Sequence, residues 1–206
     1  MRVAVLADVH GNLPALEAVL DDVETAGADV IVLNGDIAIG PMPAETLDLL
    51  ATLGDRAIWV HGNGERELAE AYDGVLDGGL PDVVRRSAEY CATRLQERHR
   101  DLVAGLPMAV ELDVTGLGPV RFCHATARSD TEFVLVDSPV DRYREAFHGV
   151  TEPTVVLGHT HMPGAAAGAA WPPAGTGPSP PPTAADPRRA DQAVKAASAS
   201  ASECTV

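Results

Sequence analysis

Positive charge, aromatic rings and cysteine are all scarce in this sequence, and each shortage excludes something. Lys and Arg number 15 against 30 Asp and Glu, a formal net charge of -15. Such a chain repels phosphate backbones at long range, which argues against a nucleic-acid coat protein or a polybasic membrane binder and makes long nucleic acid a poor partner. Small phosphorylated ligands stay open if metal ions bring the positive charge. Aromatic residues make up 4% of 206, so Val, Leu, Ile and Ala must fill the core of what the length marks as one ordinary domain. A hydrophobic content of 46% is enough for that core and excludes a wholly disordered chain. Cys91, Cys123 and Cys204 are odd in number and lack a Cys-x-x-Cys spacing. That excludes a disulfide framework or a cysteine-held zinc and fits a reducing cytoplasm. Long apolar runs are missing as well: no stretch approaches a membrane span, and Asp8 interrupts the first apolar run before it could act as a signal segment.

What is present is an alternation of short apolar runs and helical patterns up to about residue 161, the pattern of an α/β domain. Val3 to Ala7 reads as a buried strand. A helix follows the capping Asn12, with Leu13, Leu16, Val19, Leu20 and Val23 at helical spacing, Pro14 in its first turn and Gly27 ending it. Val30 to Leu33 and Ala57 to Val60 are further strands around a helix from Ala44 to Leu53, so parallel pairing is expected. Residues 64 to 105 read as a helical insert broken at Asp77-Gly78-Gly79-Leu80-Pro81. Met108 to Val114 and Val120 to Cys123 form a hairpin around a Gly-rich turn, Val140 to Phe147 a short helix, and Thr154 to Leu157 the last strand. The domain is therefore expected over residues 1 to 162. Beyond it the texture changes to Ala, Pro, Gly and Ser, with half of the 16 prolines after residue 162. Residues 163 to 206 are expected to be a disordered tail.

Five polar clusters follow the C-terminal ends of apolar strands, where open α/β sheets build their sites. They are Asp8-Val9-His10, Gly35-Asp36, Gly62-Asn63, His124 and Gly158-His159-Thr160-His161. Singly, most are ordinary turn residues; two imidazoles at i and i+2 after a buried strand suit metal ligation better. Jointly, all five strand ends carry oxygen or imidazole donors with no lysine among them. A set of Asp, Asn and His without Cys suits borderline or hard divalent ions such as Mn²⁺, Fe²⁺, Zn²⁺, Co²⁺ or Ni²⁺. Two such ions against the carboxylates of Asp8 and Asp36 leave a positive centre, able to hold a phosphate and to lower the pKa of a bridging water.

The ordered series Asp8-x-His10, Gly35-Asp36-x-x-x-x-Pro41, Gly62-Asn63, His124 and Gly158-His159-Thr160-His161 resembles the calcineurin-like metallophosphoesterase superfamily across residues 3 to 162. The resemblance implies a four-layer α/β sandwich of two mixed sheets flanked by helices, incomplete at its C-terminus. It implies two divalent ions, Mn²⁺ first. Asp8, His10, Asp36 and His161 would hold one ion, and Asp36, Asn63, His124 and His159 the other, with Asp36 bridging by sharing its two oxygens. It also implies a hydrolase in which a bridging hydroxide attacks a small phosphorylated substrate, with Asp36, Asn63 and His124 serving both metal and reaction.

The series departs from the family in two places. Many members follow the Asn with a His that protonates the leaving group, whereas here Gly64 and Glu65 follow Asn63. General-acid help is worth about two to four orders of magnitude. Its absence points to phosphodiesters or activated phosphomonoesters, or to Glu65 or His61 as the acid, and a Gly64→His variant is the natural test. The second departure is the tail, which replaces further strands expected after His161; a frameshifted or truncated reading frame would produce such a switch and leave an open sheet edge. A binding scaffold with this fold and a truncated inactive member are the rival readings. Arg128 is a candidate phosphate contact, its rival being an ion pair with Asp130 or Glu132. Tyr72, Arg85 and Arg86 lie on the insert, and Met108 and Trp59 are assigned to core packing.

Overall fold

A computed structural model describes residues 1–162 and a short strand at 196–198. Its first sheet is built from the runs that are apolar on both faces, as parallel strands covered on two sides must be. Strand β1 (Val3–Ala7) pairs in parallel with β2 (Val30–Asn34), and β2 with β3 (Ala57–Val60). Between β1 and β2 runs helix α1 (Leu13–Ala26). Asn12 Oδ1 accepts the Ala15 N–H at 3.2 Å, and Gly27 closes the helix at φ 65°, a left-handed turn that glycine takes without steric cost. Helix α2 (Pro43–Ala51) crosses from β2 towards β3.

The period of two along each strand sorts the core into layers. Ala4, Leu6, Ile31 and Leu33 point to one face and pack on Leu16 and Val23 of α1 and Leu50 of α2. Val3, Val5, Val32 and Val60 point to the other face and meet Val114, Val120 and Phe122 of a second sheet. That sheet is a hairpin of β4 (Ala109–Val114) and β5 (Gly118–Cys123), antiparallel, with β6 (Thr154–Val156) parallel to β5. Its far face, at Cys123, packs on Val134, Phe147, Val150 and Ala146, the last from helix α6 (Val140–Ala146). Helices, sheet, sheet and helix make the four expected layers, with one refinement: the first sheet is parallel throughout its described pairings and only the second is mixed.

The insert resolves into α3 (Asn63–Asp73), α4 (Asp82–Ala92) and α5 (Glu97–Ala104). Leu68, Ala69, Cys91 and Val103 pack with Ala38 and Leu47, so these helices cover one end of α2 and the loop after β2. Trp59 packs partly buried between this cluster and the α1 layer, as a core residue should. Met108 does not: it precedes β4 and is 39% exposed, because the strand that would bury it begins one residue later. The expectation of disorder for residues 163–206 lies outside the described residues, except that β7 (Ala196–Ser198) runs parallel beside β1 and takes the edge expected to be open. No helix among the described residues is long and apolar enough to cross a membrane.

Candidate metal centre

All of the expected ligand residues come from the C-terminal ends of parallel strands. Asp8 and His10 follow β1, Asp36 follows β2, Asn63 opens α3 after β3, His124 follows β5, and His159 and His161 follow β6. Backbone and side-chain bonds tie these loops to one another across the two sheets. Asp8 N–H donates to Gly35 O (3.1 Å), His10 N–H to Asp36 O (2.9 Å) and Gly158 N–H to His124 O (2.7 Å). The fully buried Asn34 donates from Nδ2 to Cys123 O at 3.1 Å, joining the ends of β2 and β5. Gly35 is required beside it: at φ 86° its missing Cβ would lie 2.5 Å from His124 Nδ1.

Donor atoms gather in two groups, Asp8 with His10 and His161, and Asp36 with His124 and His159, each within 4.8 Å of one another. In the first, His161 Nε2 lies 3.3 Å from Asp8 Oδ1 and 3.0 Å from His10 Nε2. In the second, His124 Nε2 lies 3.4 Å from Asp36 Oδ2. The groups adjoin, because Asp36 Oδ2 is also 3.9 Å from His10 Nε2, and Asp8 Oδ1 is 4.0 Å from His124 Nε2. Asp36 Oδ1 is turned away and accepts the Gly64 N–H at 2.7 Å. The carboxylate therefore offers a single oxygen, Oδ2, towards both groups, rather than one oxygen to each.

Several features fit this donor set to divalent cations. Backbone carbonyls can only accept, so they fix the imidazole tautomers. Nδ1–H of His10 donates to Ile39 O (3.2 Å), Nδ1–H of His124 to Asn34 O (2.9 Å) and Nε2–H of His159 to Thr131 O (3.2 Å). Each ring thereby turns its other nitrogen towards the donor cluster. Two of the buried side-chain atoms that meet no hydrogen-bond partner among the described residues belong to expected ligands, His124 Nε2 and Asn63 Oδ1; Asn63 donates from Nδ2 to Glu67 Oε1 at 3.3 Å. Buried orphans of this kind are costly unless something absent answers them. Finally, Asp8, His10, Asp36, His159 and His161 are the non-glycine residues with positive φ among the described residues, from 50° to 67°. Left-handed backbone costs an L-residue roughly 1–2 kcal/mol, and strain of this kind collects at ligand clamps and active sites.

The electrostatics favour a cation. Burial would raise the Asp36 carboxyl, yet His124, His10 and the Gly64 N–H beside it bring it down to about 2. Burial would discharge His124, but Asp36, the Asn34 carbonyl and Asp8 hold its pKa up at about 9. His159 is pushed down, first by burial and then by His124.

Other expected site residues lie differently. Glu65 is 1% exposed and both its oxygens accept backbone N–H bonds, so it is not placed to protonate a leaving group. His61 Nδ1 approaches Gly62 O (3.1 Å) and Asp130 (3.9 Å), and its ring lines a groove with Arg66, Glu70 and Val103. Arg128 forms the ion pair that rivalled its phosphate role, with Glu132 (2.7 Å) and also Glu145 (3.1 Å). Asp130 binds Arg66 instead (2.7 Å). Arg85 and Arg86 pair with Asp82 on the outer face of α4, and Tyr72 is 38% exposed. A Cβ at Gly64 would come within 2.6 Å of Ile39 Cγ2 and 2.9 Å of Asp36 Oδ1, so Gly64→His would disturb the centre it was meant to test. Sequence reading missed Asn34 and Glu67; the only signals were a polar residue closing an apolar strand and a second acid one turn after Asn63.

Fold and donor geometry together define an α/β sandwich with a candidate metal centre at its strand ends. The profile of the calcineurin-like phosphoesterase superfamily domain matches residues 1–170, and the chain belongs to that superfamily. A solved metallophosphoesterase from Sphaerobacter thermophilus superposes with a TM-score of 0.59 at 29% identity, covering 79% of this chain and 62% of that one. A Methanocaldococcus jannaschii protein described only as uncharacterised is 25% identical over 170 residues, 78% of this chain and 63% of its own. The symmetrical bis(5'-nucleosyl)-tetraphosphatase of Cronobacter sakazakii is 38% identical over 77 residues, 36% of this chain and 27% of its own. The chain thus spans less than two thirds of the length of these curated relatives.

Proposed function

We propose that this chain is a phosphoesterase that holds two divalent ions and hydrolyses a phosphodiester or an activated phosphomonoester. The observation that carries the reading is the pair of adjoining donor groups that face each other across Asp36 Oδ2 and include the unpartnered His124 Nε2. Asp8, His10, Asp36 and His161 would hold one ion, and Asp36, Asn63, His124 and His159 the other. When bound, such ions supply Lewis-acid charge for a phosphate and lower the pKa of a water molecule. Mn²⁺ is the first choice for oxygen and imidazole donors without thiolate.

The protein's own residues orient this centre. Ile39, Asn34 and Thr131 carbonyls hold the protons of His10 Nδ1, His124 Nδ1 and His159 Nε2 away from the donor cluster. Glu67 turns the Asn63 amide so that Oδ1 is free, and Gly64 N–H fixes Asp36 Oδ1 so that Oδ2 faces inward. Neither Gly64 nor Glu65 supplies a proton to a departing alkoxide, which favours esters whose leaving group departs unaided. A small phosphorylated compound is the substrate class, in keeping with the acidic chain and with the name of the C. sakazakii relative. Free, buried Cys91 and Cys123 support a reducing, cytoplasmic setting.

The test compares hydrolysis of an aryl phosphodiester and an alkyl phosphomonoester by the Mn²⁺-loaded chain and by Asp36→Ala. Turnover of the aryl diester above the alkyl monoester, lost in the variant, is expected. Metal bound with no turnover of either ester would leave the scaffold reading in its place.

A further inference from the structure

Glu65 is a buried carboxylate that the proposed chemistry does not use. It is 1% exposed, and it lies among four backbone donors from two different loops. Oε2 accepts Asp36 N–H at 2.8 Å and Gly62 N–H at 2.9 Å; Oε1 accepts Ile37 N–H at 2.8 Å and Ala38 N–H at 3.2 Å. Asp36, Ile37 and Ala38 are consecutive, and Asp36 is left-handed at φ 52°. Successive N–H groups beside a left-handed residue form a concave nest that takes an anion. Here the chain fills the nest with its own carboxylate, and charge-assisted bonds of this type are about twice as strong as neutral ones.

The placement has a consequence for the donors. Asp36 N–H is held by Glu65 while Asp36 Oδ1 is held by Gly64 N–H, both from the turn that begins with Asn63. We infer that Glu65 is a positioning residue: by filling the nest it locks Asp36 in its left-handed conformation and couples the Asp36 loop to the Asn63 loop. Metal affinity at both groups then depends on a side chain that touches no metal. This inference rests on the metal reading above.

Mn²⁺ titration calorimetry on the full chain, Glu65→Gln and Glu65→Ala tests it, with circular dichroism and thermal unfolding recorded alongside. Gln keeps one acceptor oxygen but sets an NH₂ group against two N–H donors, so it cannot fill the nest. Both variants should bind Mn²⁺ about 10–100-fold more weakly, the loss typical of a partner behind a ligand. In Glu65→Ala, formate or acetate should restore the affinity and acetamide should not; a purely structural role would give no such anion-specific rescue. Should neither variant fold, amide exchange in the unmodified chain decides: slow exchange at Asp36, Ile37, Ala38 and Gly62 is expected, and rapid exchange there overturns the inference. Wild-type affinity in Glu65→Gln, or no difference between acetate and acetamide, also overturns it while leaving the metal reading intact. An unmodified chain that binds no Mn²⁺ would overturn both.

Discussion

Charged groups are handled in opposite ways at the strand ends and along α4 and α5 of the helical insert. At the strand ends Asp8, Asp36 and His124 are buried, His124 Nε2 and Asn63 Oδ1 are unanswered, and five residues are forced to positive φ. Along α4 and α5 of the insert the arginines sit outside and are answered: Arg85 by Asp82 and Glu89, Arg98 by Asp48 of α2, Arg100 by Asp73 of α3 and by Asp101. Exposed pairs of this sort contribute roughly 0–1 kcal/mol and imply no ligand. Buried, unanswered donors with strained backbone beside them are unfavourable unless a cation completes them. The contrast separates a site from a solvated face more sharply than the count of charges does.

The largest effect expected from breaking this contrast is at Asp36. Asp36→Ala removes the oxygen that faces both groups, and Mn²⁺ affinity and ester turnover should fall by more than the roughly 10–100-fold that follows loss of a partner behind a ligand; calorimetry and initial rates check both. Next comes His161→Gly. The side chain is 46% exposed and the residue lies at φ 52°. Without metal, the variant's unfolding free energy should not fall and should rise by up to about 1 kcal/mol as left-handed strain is relieved. With saturating Mn²⁺ the order should invert, since a ligand at a hundred times its Kd stabilises by about 2.7 kcal/mol and the variant forfeits most of that. Urea denaturation with and without Mn²⁺ measures the inversion.

Glu132 lies between the two regimes, in a loop beside the centre yet paired with Arg128 and Arg142. The Arg128 guanidinium, opposed by partial burial and helped by the Thr126 hydroxyl, lowers its carboxyl from 4.5 to about 2. A folded pKa below the unfolded one gives stability that is present above pH 4.5 and is lost as pH falls towards 2. In metal-free protein the stability difference between wild type and Glu132→Gln should shrink across that window, as followed by urea unfolding at stepped pH. The smallest effects belong to the insert. Arg85→Ala should change stability by less than about 1 kcal/mol, less still at high salt, and leave turnover unaltered; a tenfold rise in KM would move that face of α4 into the site.

Much of this was legible in the sequence because strand ends announce themselves. Short apolar runs located β1, β2, β3, β5 and β6, and the polar residues after them fell at strand ends that the fold gathers, which brought Asp8, Asp36, His124 and His159 together. What was hidden depends on partners that side-chain type does not encode. Glu65 reads as an acid next to Asn63, and only the fold reveals four backbone N–H groups around it. Arg128 reads as a phosphate fork, and only the approach of α6 supplies Glu145 as a second carboxylate. Met108 reads as core by hydrophobicity, while strand pairing begins at Ala109 and leaves it 39% exposed. Asn34 is anonymous in sequence and joins both sheets in three dimensions.

The most direct measurement is metal stoichiometry on purified, monodisperse protein after Mn²⁺ loading and removal of free ion, read by elemental mass spectrometry. About two Mn²⁺ per chain is the predicted result for adjoining groups that share Asp36. A folded chain that retains none would contradict a metal centre at the strand ends, and with it the phosphoesterase reading.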